Sequence, residues 1–227
     1  MKNRGHILSR NPKQQKELSR SLPSREPLGR ILVVCEGLKT EPNYFNALAR
    51  QYRARNVIIK GSGGVSGTDP CSVLQFALEC NKDDGPYENI FCVFDKEGTL
   101  EREKNLEAAC AKIDGISRKK RGTLKVTAVK SIPCFEYWVL LHFEFTTKPF
   151  VAAGGKSCCE SLISKIKGYM PEYSKGRYDL MPRIVGNVEI AIQRSENALS
   201  LLNGQNSDNP STYVHLVAKK IISMASK

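Results

Sequence analysis

The sequence predicts an α/β fold: a mostly parallel sheet flanked by helices, with additional helices toward the C-terminus. Three observations carry that expectation. The continuous apolar runs Ile31-Leu32-Val33-Val34-Cys35 and Ile90-Phe91-Cys92-Val93-Phe94 read as strands buried on both faces, as parallel strands are. Segments with apolar residues at helical spacing alternate with these runs through short connections. After Pro133 the periodicity becomes wholly helical.

Each element has its own justification. Residues 1–28 show no hydrophobic periodicity and carry Lys2, Arg4, Arg10, Lys13, Lys16, Arg20 and Arg25, so they read as a flexible basic arm. The first strand, ending at Cys35, is followed by a helix over Thr40–Arg55 with Tyr44, Phe45, Leu48 and Tyr52 on one face. Pro42 suits its first turn and Thr40 could cap it. Val57-Ile58-Ile59 is a short second strand, and the glycine- and serine-rich stretch 61–67 a loop. Thr68 or Asp69 caps a helix bearing Val73, Leu74, Ala77 and Leu78. The third strand ends at Asp95; a helix over 100–113 and a fourth strand over 124–129 follow. Helices are then expected over 135–143, 156–169, 183–203 and 212–224. This divides the chain into the arm (1–28), an α/β core (29–150) and a helical C-terminal extension packed on that core (151–227).

Charge narrows the class of partner. The 227 residues hold 35 Lys plus Arg against 23 Asp plus Glu, a formal net charge of +12. Such an excess favours phosphate-rich partners, because basic side chains that neutralise phosphates release condensed counterions. No apolar run approaches the roughly 18 residues of a membrane span, and the polar N-terminus lacks the apolar segment of a secretory signal. The expected compartment is the cytoplasm, with no membrane association. None of the eight cysteines forms a C-x-x-C pair, and His6, His142 and His215 do not cluster with them, so zinc is not expected. Cys35 and Cys92 read as small core hydrophobes in a reducing compartment.

The acids carry the chemistry. Glu36 follows the first strand and Asp95 closes the third. In a parallel sheet all strand carboxyl ends share one edge, where ligands bind. Asp95 and Glu97, at i and i+2, lean to the same side of an extended segment. Glu36, Asp95 and Glu97 together form a hard-oxygen set suited to Mg²⁺ or Mn²⁺, which in a basic protein fits metal-assisted phosphodiester displacement.

Here the residues resemble known proteins. Ile31–Gly37 (ILVVCEG) followed by Val93–Gly98 (VFDKEG) resembles the Toprim fold of type II topoisomerases, primases and several nucleases. Cys35–Phe45 (CEGLKTEPNYF), Pro133–Phe143 (PCFEYWVLLHF) and Asn209–His215 (NPSTYVH) resemble the RloB-like family, associated with restriction-linked and abortive-infection loci of prokaryotes. The resemblance spans residue 28 to the C-terminus. It implies a glutamate acting as general acid or base, Glu36, and metal-binding carboxylates, Asp95 and Glu97. The second acid is Glu97 where the Toprim pattern has Asp, and Thr99 stands where an extended acidic motif would continue. The resemblance further implies a Mg²⁺-dependent nuclease, an antiphage effector cleaving RNA (such as tRNA) or DNA under an ATPase partner of ABC or AAA type. A homo-oligomer is compatible with it.

Further candidates surround these acids. Lys39 and Lys96 flank them and could touch phosphate, with Lys39 also placed to stabilise developing charge. Glu136, just past the fourth strand, is another acid for the same edge, or simply a first-turn glutamate that complements a helix dipole. Tyr173, Lys175, Arg177 and Tyr178 have the mixed basic and aromatic composition of a nucleic-acid contact or of a polar loop. Trp138 and His142 read as core. Two other functions compete with the nuclease. One is a non-catalytic adaptor that binds nucleic acid or an ATPase. The other is a haloacid-dehalogenase-like phosphatase, suggested by Phe94–Leu100 (FDKEGTL), but its motif would sit on the wrong strand and leave Glu36 unexplained.

Overall fold

A computed structural model describes residues 29–63, 69–96, 100–119, 124–203 and 207–225. The predicted basic arm, Glu97 and Thr68 lie outside the described residues. The fold class expected from the sequence is the one observed: a five-stranded, mainly parallel sheet of order β2-β1-β3-β4-β5 with helices on both faces.

Strand β1 (Ile31–Cys35) lies inside the sheet, and its five apolar side chains are fully buried. It pairs in parallel with β2 (Val57–Gly61) on one side and β3 (Asn89–Asp95) on the other. Parallel pairing then continues from β3 to β4 (Lys125–Ile132). Strand alternation sorts the core into two clusters. Ile31, Val33, Cys35, Phe91, Val93 and Val129 face the larger one; Leu32, Val34, Ile90, Cys92, Phe94 and Val126 face the smaller.

Helices α2 (Pro70–Asp83) and α3 (Leu100–Lys119) cover the smaller cluster. Asp69 caps α2 by accepting hydrogen bonds from the backbone N–H groups of Cys71 (3.0 Å) and Ser72 (3.3 Å), with Pro70 in the first turn. The opposite face is covered by α1 (Thr40–Gln51), α4 (Glu136–Leu140), α5 (Cys158–Lys167), α6 (Met181–Val185), α7 (Val188–Leu202) and α8 (Val214–Ser223). Helix α1 ends earlier than its periodicity suggests, because Arg53 turns the chain into the left-handed region at φ 53°. Thr40 does not cap it; its hydroxyl accepts from the N–H of Gly176 instead (3.0 Å).

Three further departures have local causes. The single helix expected over 183–203 is two, broken between Val185 and Val188 at Gly186-Asn187. The segment expected to open the last helix begins as a strand, β5 (Ser211–Thr212), antiparallel to the end of β4. Its Thr212 hydroxyl is 3.0 Å from that of Ser131. Cys35 and Cys92 are buried and free as expected, whereas Cys134 and Cys159 are joined in a disulfide that links the segment before α4 to α5. Two cysteines 25 residues apart give no sequence signal of their pairing. None of the described helices is long and apolar enough to cross a membrane.

Candidate active site

The carboxyl ends of β1, β3 and β4 open onto one cavity of about 430 Å³, lined by Glu36, Lys39, Glu41, Asp95, Glu136 and Lys175 among others. Backbone pairing sets the geometry. The Glu36 N–H extends the β1–β3 ladder to the Val93 carbonyl (3.2 Å), and the Lys96 N–H reaches the Ser131 carbonyl (2.9 Å). Glu36 and Asp95 are thereby brought side by side, and the Asp95 N–H approaches Glu36 Oε2 at 3.5 Å.

Strand parity sends the two acids to different faces. Asp95 continues the face of Phe91 and Val93, toward α1 and α4. There it meets Glu41, from the first turn of α1, and Glu136, from the first turn of α4. Glu36 is engaged from the other face, by the guanidinium of Arg102 on α3. The site therefore straddles the edge of the sheet. Glu41, which sequence reading did not single out, folds back over Gly37. A Cβ on Gly37 would lie 2.5 Å from its carboxylate, so the close approach requires glycine. The signal was the position of Glu41 in the turn after a strand end, the place where Glu136 was noticed.

Charge and burial act together here. Burial raises the Asp95 pKa well above the usual carboxylate range, and the negative charges of Glu41, Glu136 and Glu36 push it further; Lys175 opposes them. Burial likewise raises Glu41, aided by Glu136 and Glu36. Glu36 is raised by burial despite the opposing Arg102 pair. The Oδ1 atom of Asp95 is buried with no hydrogen-bond partner among the described residues. An orphaned carboxylate oxygen facing three other acids fits a hard divalent cation, since a bound cation satisfies it and removes the repulsion.

The remaining candidates divide. Lys175 lies over the cavity, 3.3 Å from Glu136, and Lys39 lines it with an exposed side chain. Lys96 points away to Asp208 (3.0 Å), and Arg177 pairs with its neighbour Asp179 (2.5 Å) outside the cavity. Tyr173 is not a surface stacking residue: it is 1% exposed and belongs to the core. Trp138 is fully buried, and His142 is a satisfied core histidine, its Nε2 3.0 Å from the Tyr44 hydroxyl and its Nδ1 3.0 Å from the Trp138 carbonyl. Among the described residues, Cys134, Glu136 and Cys159 are the one group of three potential ligands within 4.8 Å of one another. With the two sulfurs bonded to each other, that group offers no thiolate. The acids of the cavity are set more widely, as like charges in a common low-dielectric space would be.

No curated protein and no solved structure matches the chain. A family model described as RloB-like protein matches residues 31–221, which span β1 to α8 and every acid that lines the cavity. The chain thus belongs to the RloB-like family.

Proposed function

We propose that the protein is a Toprim-type, divalent-metal-dependent nuclease that hydrolyses phosphodiesters in RNA, such as tRNA, or in DNA. The observation that carries this reading is the Asp95 carboxylate at a strand end, its Oδ1 buried without a hydrogen-bond partner among the described residues, sharing one cavity with Glu36, Glu41 and Glu136. Asp95, Glu36 and Glu41 would hold Mg²⁺ or Mn²⁺, with Glu136 beside them. A cation there supplies Lewis-acid polarisation of the scissile phosphate and a more acidic bound water. Glu36, its carboxyl pKa raised by burial, is placed to hold or release a proton, as a general acid or base must. Lys39 and Lys175 supply positive charge for the phosphate at the mouth of the cavity. Resemblance to defence-linked relatives supports a role as an antiphage or abortive-infection effector under an ATPase partner.

The test is cleavage of labelled RNA and DNA pools by the full chain with Mg²⁺ or Mn²⁺, together with the ATPase encoded beside it. Glu36→Gln and Asp95→Asn are each expected to lower cleavage by about 10²–10⁴-fold. Full cleavage by both variants would remove the acids from the mechanism. Defence activity that survives in both variants would mark the chain as an adaptor.

A further inference from the structure

One acid of the cavity, Glu36, is paired from outside its lining. Arg102 and Glu36 form an ion pair in which both side chains are largely withdrawn from solvent, at 20% and 16% exposure. The oxygen that the guanidinium holds, Glu36 Oε2, is the same one that the Asp95 N–H approaches at 3.5 Å. Arg102 therefore places its charge on Glu36, at the oxygen nearest the Asp95 backbone.

This position is built into the fold. Arg102 sits in the first turn of α3. One turn further on, Asn105 anchors the helix to the start of α2: its side-chain amide donates to Asp69 Oδ1 (2.8 Å), and its carbonyl accepts from the Cys71 thiol (3.7 Å). Asp69 is itself fixed as the cap of α2. The backbone that carries Arg102 is thus pinned, and the freedom that remains is in the side chain.

Resting on the metal-dependent reading above, we propose that Arg102 is the resident counter-cation of the acidic centre, which exchanges Glu36 for a substrate phosphate when a divalent cation binds. In the metal-free protein the guanidinium balances Glu36. Glu36 and Asp95 would hold the divalent ion, whose charge would take over that balance and leave the guanidinium free to turn away. A planar fork freed beside Glu36 matches a phosphate in bidentate geometry, which a lysine ammonium cannot do. Metal loading and phosphate capture are thereby coupled, and the coupling is reciprocal: phosphate that engages Arg102 strengthens metal binding.

The experiment is calorimetric titration of Mn²⁺ into the full chain, wild type beside Arg102→Gln and Arg102→Lys, with thermal unfolding as a check on folding. Competition by Arg102 predicts that Arg102→Gln binds Mn²⁺ about tenfold more tightly than wild type, and that Arg102→Lys binds it like wild type. Repeating the titration with a short phosphorothioate oligonucleotide present should tighten Mn²⁺ binding in wild type and leave Arg102→Gln unchanged. Equal or weaker Mn²⁺ binding by a folded Arg102→Gln overturns the exchange while leaving the metal site standing. Absence of Mn²⁺ binding in all three proteins overturns the metal-dependent reading, and the exchange with it.

Discussion

Desolvation acts on the side chains of Asp95 and His142 with opposite sign. The folded pKa of Asp95 is raised, so its contribution to stability is fully present below the unfolded carboxylate pKa and is lost as pH rises toward the folded value. At neutral pH without divalent cations, Asp95→Asn is therefore expected to raise the unfolding temperature, a gain obtained where the proposed activity would be lost. For His142, burial lowers the pKa to about 4, so between that value and about 6.5 the unfolded chain binds the extra proton. Stability falls as pH drops through that window, by about 3 kcal/mol for this one group. Urea midpoints measured from pH 7.5 down to 4.5 check this: His142→Gln should flatten the slope relative to wild type. A residue of this kind was legible in the sequence because an apolar helix face surrounds it, whereas the raised pKa of Asp95 depends on neighbours remote in the chain.

At the scale of elements, the segment between α5 and α6 acts as a strap across the mouth of the site. Gly176 donates its N–H to the Thr40 hydroxyl and accepts from the Asn43 side chain (3.0 Å each), which docks the strap on α1 and sets Lys175 above Glu136. Gly176 has φ +78°, and a Cβ there would meet the Lys39 side chain at 3.0 Å. Gly176→Ala is expected to cost about 1–2 kcal/mol in a urea titration. A second test concerns α5, whose capping box pairs Ser157 with Glu160 in both directions. Ser157→Ala should cost about 1 kcal/mol by the same measurement. Strands β1, β3 and β4 could be read from the sequence because long apolar runs leave little alternative. The two-residue β5 could not, since Ser211-Thr212 has no periodicity of its own and becomes a strand only by pairing with Ser131 and Ile132.

Over the whole molecule, the parallel sheet is what made part of the site visible in advance. Reading the residues that follow strands finds Glu36, Asp95 and Glu136, because the topology gathers strand ends on one edge. It misses Glu41 and Arg102, which reach the same point from helices on opposite faces of the sheet. Arg102 was hidden further by its setting, the charged run Glu101-Arg102-Glu103-Lys104, which reads as a solvated helix face. On the metal-dependent reading, the four acids of the cavity tie stability to metal. At pH 7.5, Mn²⁺ or Mg²⁺ should raise the unfolding temperature of the wild type in a concentration-dependent way, and Asp95→Asn should abolish most of that rise. Differential scanning calorimetry with and without a chelator reads this directly.

The short antiparallel strand β5 also has a consequence for the order of assembly during synthesis. It pairs with the end of β4, next to the turn that delivers Glu136, and leads into α8, whose Val214, Val217, Ala218 and Ile221 fill the larger core. A chain made only as far as α7 has β1 to β4 available but lacks both the partner for the β4 end and a wall of the core. The acids of the cavity are thus all present by Glu136, whereas the elements that hold their strand ends in place are made about 75 residues later.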